Sequence, residues 1–310
     1  MIIGIPRLGI YSDILKSFIE DLGHKVIMPS KITREMINLG VANSSDMVCF
    51  PFKYTLGQEI WALEHGATDL VMFNSCGLCR LKHYYQIQEL TLKDLGYRFK
   101  MNVITKKNFL STVRRWGHIS YFEAYHRMKK VYAEIKAVEI KTYRFLPERE
   151  LKIGIIGEVG TILEPDINFN IVKTLQRMGA NVNMSITITD YLNESTEKGS
   201  KKDIKEAKSL LSQELGGHGF QSIVNIIWYA KHGYDGVIHI LPLSCMPEST
   251  VEVLVDQMAD KYNISLYRFP IDEASFEAGF NTRIETFVSM LKRRKHDENF
   301  NVDTFCYTHC

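Results

Sequence analysis

Two cysteines separated by two residues are the first candidates for chemistry in this sequence. Cys76 and Cys79 stand in NSCGLCR, directly after the apolar run 69–73, which is typical of a buried strand. A disulfide, a redox dithiol and a metal site all use this spacing. The chain has four other cysteines, and their positions help to distinguish a disulfide, a redox dithiol and a metal site. They are Cys49, Cys245, Cys306 and Cys310.

Cys49 and Cys245 each follow a short apolar run, so we expect them at the ends of structural elements as well. Ligands bind open α/β sheets outside the carboxyl ends of the strands. If the chain forms two lobes that face each other, both cysteines are expected to meet Cys76 and Cys79 in one cleft.

Sulfur ligands favour zinc or an iron–sulfur cluster. A zinc ribbon needs two CxxC knuckles within a short stretch, whereas the second pair here, Cys306 and Cys310, is CxxxC at the end of the sequence. A thioredoxin-like dithiol would leave Cys49 and Cys245 without a role. Scattered thiolates suit a cluster in an interdomain cleft, so we favour iron–sulfur; zinc, thiol redox chemistry and plain core packing stay open.

The elements that must position these cysteines occur in the same order twice. Residues 1–28 read as strand, helix, glycine stop and strand, and residues 151–186 repeat that order. Further along, each half has a helix, a glycine, a buried strand and a cysteine just beyond it. We therefore predict an α/β fold of two Rossmann-like lobes with parallel sheets, related by internal duplication, with the cluster in the interdomain cleft.

Four segments follow from this pattern. They are an N-terminal α/β lobe over 1–107, a helical linker over 108–150, a C-terminal α/β lobe over 151–292 and a cysteine-containing tail over 293–310. The basic run 292–296 is expected to end the last helix. The linker is predicted to be an amphipathic helix lying across the fold.

Composition excludes several classes of function. The 310 residues are 45% hydrophobic and 24% charged with a net charge of +2, which indicates a globular protein with no nucleic-acid partner. No apolar run is long enough to span a membrane, and the start of the chain does not resemble a signal peptide, so we expect a cytoplasmic location without structural disulfides. The sequence GxxGxxG at 154–160 misses the dinucleotide fingerprint and no Walker A motif is present, which predicts neither NAD nor bound ATP.

Five boxes of the sequence form a recognisable set. They are IGIPRLGIY near the start, CFPFK at 49–53, CGLCR at 76–80, LPLSCMPE at 241–248, and a last box that combines DE, EAG and TRIETF between 272 and 287. This set resembles the activase-related proteins of the 2-hydroxyacyl-CoA dehydratase superfamily, and the similarity spans residues 1 to about 292.

This resemblance implies an oxygen-sensitive iron–sulfur cluster between two Rossmann-like lobes, and a separate ATP-hydrolysing activase that supplies low-potential electrons. Carried over position by position, the ligands would be Cys49, Cys76, Cys79 and Cys245. Relatives hold either one [4Fe-4S] cluster or a double-cubane [8Fe-9S] cluster. Six cysteines would suit two linked cubanes, although Cys306 and Cys310 have no counterpart in the boxes.

Charged residues flank the cysteines and the last box. Asp272 and Glu273 follow a predicted strand, and Arg283 is expected to pair with one of them. Basic groups near the sulfurs would raise the potential of a cluster. The full set of candidates around the cluster is Lys53, Arg80, Glu248, Asp272, Glu273 and Arg283.

The functional prediction is an iron–sulfur protein that accepts electrons from the ATP-driven partner and works as a reductase or electron relay. Alternatives are a non-catalytic scaffold or storage protein for clusters, a 2-hydroxyacyl-CoA dehydratase-like subunit, and a zinc-stabilised or metal-free binding module. A homodimer is the default expectation for such a fold.

Overall fold

A computed structural model describes residues 1–74 and 79–307, without the side chains of Leu81 and of residues 298–307. Two four-stranded sheets, all of whose strand pairs are parallel, organise these residues. The first sheet has the order β2-β1-β3-β4 and the second the order β6-β5-β7-β8, so the two halves of the chain share one topology. The predicted α/β fold with two parallel sheets is therefore confirmed, and its origin by duplication stays a prediction.

The N-terminal sheet is built from short strands of three to five residues, joined by helices because parallel strands need a crossover connection. Its strands are β1 (Ile2–Gly4), β2 (Lys25–Ile27), β3 (Asp69–Phe73) and β4 (Lys100–Ile104). Its helices are α1 (Ser12–Asp21), α2 (Arg34–Ala42), α3 (Phe50–Glu64) and α4 (Leu81–Asp94).

The C-terminal sheet repeats this arrangement with longer strands. They are β5 (Leu151–Gly157), β6 (Ala180–Met184), β7 (Gly236–Pro242) and β8 (Ser265–Ile271). The helices of this half are α7 (Val159–Leu163), α8 (Ile171–Arg177), α9 (Ile188–Leu192), α10 (Lys201–Ser209), α11 (Gly219–Lys231), α12 (Met246–Lys261) and α13 (Glu277–Tyr307).

Two helices connect the sheets where the sequence predicts one helical stretch. They are α5 (Phe109–Gly117) and α6 (Tyr121–Thr142). The break occurs because His118 adopts a left-handed conformation, with φ of 48°, and the Ser120 side chain then caps α6 by accepting a hydrogen bond from the backbone of Glu123. The predicted amphipathic character holds, since α6 buries Ala124 and Ile135 in the core.

The last helix is longer than predicted. The basic run 292–296 does not end α13, which continues to Tyr307. No glycine or proline interrupts the sequence after Gly279, so nothing in the backbone chemistry stops the helix at that point. Cys306 consequently belongs to a helix rather than to an irregular tail.

The two halves share one large hydrophobic cluster. It includes Ile3 and Val71 from the first sheet and Ile153 and Ile238 from the second. Polar contacts also join them, among them the backbone N–H of Gly9, which donates to Glu164 Oε2 at 2.6 Å. Within residues 1–74 and 79–307, no helix combines the length and the apolar character that a membrane span requires.

Candidate functional site

Three of the predicted cysteine ligands line one cavity, and both halves of the chain contribute to it. Cys49 and Cys79 come from the N-terminal half, and Cys245 comes from the C-terminal half. The cavity holds about 20 Å³ between the described residues, which is room for about one water molecule. The other lining residues are Pro51, Arg80, Tyr84, Glu158, Ser244, Met246 and Pro247.

Sheet topology explains why the C-terminal half places residues here. Strands β5 and β7 are neighbours in the middle of their sheet, and Glu158 and Cys245 stand just beyond their carboxyl ends. In sheets of this order the crevice between these two strand ends is the usual ligand site. Gly157 ends β5 with φ of 137°, and a Cβ there would lie 2.2 Å from the carbonyl oxygen of Ile240. Only glycine therefore permits the turn that delivers Glu158 to the cavity.

Cys49 is the residue before the first turn of α3. Its backbone is extended, and Pro51 occupies the first turn of the helix, where a missing N–H costs nothing. The thiol is buried, and its Sγ lies 2.8 Å from the hydroxyl of Tyr84. Burial raises the pKa of Cys49 to about 12, although the hydrogen bond from Tyr84 opposes this shift.

Cys245 has the same local design at the start of α12. Its backbone is extended, Pro247 lies in the first turn, and the thiol is buried. Burial raises the pKa of Cys245, and the carboxylates of Glu248 and Glu158 raise it further. Both thiols are therefore protonated at neutral pH unless a positively charged group binds them. Each residue stands at the N-terminus of a helix, where the positive end of the helix dipole favours a bound thiolate.

Glu158 is a site residue that sequence reasoning missed. Its carboxylate is buried and caps α7 by accepting hydrogen bonds from the backbone of Gly160 at 2.9 Å and of Thr161 at 2.8 Å. Burial raises the pKa of Glu158, and these hydrogen bonds oppose the shift. The sequence does carry a signal for Glu158, because this residue directly follows a predicted strand and lies within the glycine-containing stretch 154–160.

The predicted residue Glu248 lies beneath the start of α12 rather than on the cavity wall. Its Oε2 is 2.8 Å from His239 Nε2 and accepts a hydrogen bond from the Ser222 hydroxyl at 3.0 Å. All three side chains are buried. His239 lies within β7, so the network ties the helix that begins at Cys245 to the strand before it.

Lys53 and Glu273 join the two halves of the chain through an ion pair. Lys53 Nζ lies 2.6 Å from Glu273 Oε1, and the lysine side chain is only 4% exposed. The expectation that Arg283 pairs with Asp272 or Glu273 is wrong. Arg283 is exposed on the outer face of α13 and forms no ion pair within the described ranges, because its neighbour Ile284 faces the core instead.

The remaining predicted residues take different positions. Arg80 is exposed at the rim of the cavity, where its guanidinium lies 3.8 Å from the sulfur of Met246. Asp272 does not reach the cysteines and instead closes a turn, since its Oδ1 accepts hydrogen bonds from the backbone of Ala274 and the hydroxyl of Ser275, both at 2.9 Å.

The other cysteines are not part of the described cavity. Cys76 and Cys310 lie outside the described residues, as does the side chain of Cys306. The backbone of α13 carries Cys306 away from Cys245. Leu291 of that helix packs beside Gly236, at the opposite end of β7 from Cys245, and Cys306 is a further 15 positions along, or about 22 Å of helix.

The described side chains do not form a complete site for a single metal ion. Within the described part of the chain, no three His, Cys, Asp or Glu residues are grouped closely enough to hold one ion. Cys76, the natural fourth sulfur beside Cys79, is not included in that search. What the structure supplies is three sulfurs around one cavity, with a tyrosine hydroxyl and a buried carboxyl group among them.

Comparison with known proteins assigns this chain to no family. No model of a known protein family matches it, and no curated protein matches it significantly.

Proposed function

We propose that this chain is an iron–sulfur protein that accepts low-potential electrons from an ATP-hydrolysing partner and works as a reductase or electron relay. One observation carries the proposal: Cys49, Cys79 and Cys245, from distant parts of the sequence, line the same cavity at the ends of their elements. Cys76, three residues before Cys79, would complete a four-cysteine set for one [4Fe-4S] cluster.

The chemistry of the thiols fits a metal cluster better than thiol exchange. Reactive cysteines are partly exposed and have a lowered pKa, whereas Cys49 and Cys245 are buried and have a raised pKa. Metal binding replaces the thiol proton, so a buried thiol can become a ligand where it cannot become a free thiolate. Thiolates on a cubane bind different iron atoms and so lie farther apart than those on one ion.

A bound cluster would supply one-electron transfer. The residues around it would set its reduction potential. The Tyr84 hydroxyl lies against the Cys49 sulfur, and hydrogen bonds to cluster sulfurs raise the reduction potential. An ionised Glu158 carboxylate would lower the reduction potential, because its negative charge disfavours the added electron.

Access for an electron donor is available at the rim of the cavity. Met246 is about half exposed there, beside the exposed guanidinium of Arg80, and Leu243, two residues before Cys245, is about half exposed as well. Methionine and arginine are enriched in protein interfaces. We propose this rim as the face that meets the ATP-hydrolysing partner.

The test is the reduction of an anaerobically reconstituted cluster. The protein is incubated with ferrous iron and sulfide, desalted, reduced with titanium(III) citrate and examined by electron paramagnetic resonance. We expect bleaching of the visible absorption and the signal of a reduced cubane. Cys245→Ala should show neither, whereas Ser249→Ala, an equally small change at an exposed position of α12, should behave like the parent protein.

Two results would contradict the proposal. A protein that incorporates no cluster has no cubane site. A cluster that forms but is not reduced by titanium(III) citrate would exclude electron transfer and leave storage or scaffolding as the function.

A further inference from the structure

A second cavity lies between the two halves of the chain and is lined by Phe50, the residue after Cys49. We propose that it binds a small organic amine whose apolar part is about the size of one aromatic ring. The cavity holds about 180 Å³. For comparison, an engineered apolar cavity of about 150 Å³ binds benzene, so a single ring fits.

The wall of this cavity is mostly apolar. Three isoleucines and three phenylalanines line it, with Phe50 and Ile32 from the N-terminal half and Phe169 and Ile167 from the C-terminal half. Phe276 forms the outer edge and is 69% exposed. An apolar wall with a few polar groups at one side is the usual composition of a small-molecule site.

The polar groups of the cavity favour a cation. Three carboxylates line it against one basic side chain, Arg34. Asp166 is already engaged, because it lies 3.4 Å from Arg7 Nε and accepts a hydrogen bond from the backbone of Ile32 at 2.7 Å. Asp272 and Glu277 form no ion pair among the described residues, so the carboxylates of this space outnumber its one basic side chain.

The one basic side chain of the cavity lies at its aromatic edge. The guanidinium of Arg34 lies over the Phe276 ring, 5.2 Å from its centre, and already has this ring face as its partner. A carboxylate ligand would gain only Arg34, which is exposed to solvent, and would be repelled by Asp272 and Glu277. An ammonium group placed between these two carboxylates gains charge-assisted hydrogen bonds.

The site is independent of the iron–sulfur proposal, although the two cavities are neighbours. The two cavities meet at adjacent residues, since Cys49 lines the first and Phe50 lines the second, and the backbone N–H of Phe50 donates to the carbonyl of Leu243 at 3.2 Å. None of the described residues that line this second cavity is a cysteine. Binding of an amine is therefore expected with or without iron in the protein.

The test is calorimetric titration of the full chain with three matched compounds: 2-phenylethylamine, 3-phenylpropionate and phenylalanine. They share a ring and a short chain and differ in charge. We expect 2-phenylethylamine to bind at least about tenfold more tightly than 3-phenylpropionate, which corresponds to about 1.4 kcal/mol. The iron-free and iron-loaded proteins should give the same affinity for the amine.

Variants that remove the charge of Asp272 or Glu277 test whether the amine binds in this cavity. Asp272→Asn keeps an oxygen for the turn at Ala274 and removes the charge, and Glu277→Gln changes an exposed side chain. Each should weaken amine binding about fivefold, and the double variant more, in line with the loss of charge-assisted contacts. Glu285→Gln, exposed farther along the same helix, is the matched control and should have no effect.

Several results would overturn the inference. Binding of 3-phenylpropionate as tight as that of the amine would exclude a cation site. Binding of phenylalanine without 2-phenylethylamine would assign the cavity to zwitterions. The site itself would be contradicted if none of the three compounds bound at millimolar concentration. It would also be contradicted if the double variant bound the amine with unchanged affinity while its thermal unfolding matched that of the parent.

Discussion

The sulfur of Cys49 lies 2.8 Å from the hydroxyl oxygen of Tyr84. This contact connects the start of α3 to α4, the helix that follows the CxxC segment, and both side chains are buried. The Tyr84 ring also packs edge-on against Phe52, with 4.9 Å between ring centroids. The tyrosine therefore fixes the position of one sulfur on the cavity wall and donates or accepts one hydrogen bond there.

Tyr84→Phe tests this relationship because it removes only the hydroxyl. We expect the reduction potential of the bound cluster to fall, since a sulfur loses a hydrogen bond. The free energy of unfolding of the iron-free chain should decrease by about 1 kcal/mol. Redox titration followed in the visible range and urea unfolding measure the two effects. Tyr85→Phe, a half-buried neighbour, is the control, and an unchanged potential in Tyr84→Phe would contradict a role at the cluster.

The Lys53–Glu273 pair predicts an asymmetry between two single substitutions. Glu273→Gln leaves the ammonium of Lys53 buried without its counter-charge and should cost about 3 kcal/mol of unfolding free energy. Lys53→Met leaves Glu273, which is 26% exposed and can be hydrated, so it should cost about half as much. Denaturant unfolding of both variants makes the comparison.

The control for this pair is Arg283→Gln, which should change stability by less than about 0.5 kcal/mol because the side chain is exposed. A loss in Arg283→Gln as large as that in Glu273→Gln would restore the ion pair expected from the sequence. If Glu273→Gln and Lys53→Met lower the free energy of unfolding by the same amount, the burial of Lys53 does not determine the loss of stability.

Glu59 predicts a pH-dependent stability. This side chain is 1% exposed, and burial raises its pKa from 4.5 to about 8. Between these values the folded chain binds the proton and the unfolded chain does not, so stability falls as pH rises from about 5 to 8. Glu59→Gln should abolish this contribution and stabilise the protein at pH 8 by up to about 4 kcal/mol. The measurement is urea unfolding at several pH values.

Glu20→Gln, an exposed change on α1, should leave the pH dependence as it is. The prediction is contradicted if the free energy of unfolding of the parent protein and of Glu59→Gln is the same at every pH between 5 and 8. That result would show that the Glu59 carboxyl group does not hold a proton in the folded chain.

Much of the fold could be predicted from the sequence because parallel strands and their helices leave strong local patterns. Buried strands appear as short apolar runs, and Gly23 and Gly179 mark the ends of their helices. The end of α13 could not be predicted, since a basic run is a weak stop and no glycine or proline follows it. The order of the strands in each sheet could not be predicted from local sequence patterns either, because it depends on contacts between residues that are distant in sequence.

The candidate site was predictable to the extent that it depends on strand ends. Cys245 was located by the apolar strand before it, and Cys49 by its place between two elements. Tyr84 gave no signal, since a tyrosine in an amphipathic helix is ordinarily a core residue. The partner of Glu273 is Lys53 rather than Arg283, because distant segments meet there and sequence proximity does not decide the pairing.

The ligand set predicts a contrast between cysteine variants. Cys245→Ala should lose the bound iron, because its sulfur faces the cavity. Cys306→Ala should retain it, because α13 carries that position about 22 Å beyond Leu291, on the side away from Cys245. Iron analysis after anaerobic reconstitution compares them. Loss of iron in Cys306→Ala would support a larger cluster assembled with the C-terminal cysteines.

The most direct test of the central claim is the iron and acid-labile sulfide content of the protein purified without oxygen. A four-cysteine site on Cys49, Cys76, Cys79 and Cys245 predicts a brown protein with about four irons and four sulfides per chain. A colourless protein without iron or sulfide, even after anaerobic reconstitution, would contradict the account and leave the cysteine cavity as a structural feature of the fold.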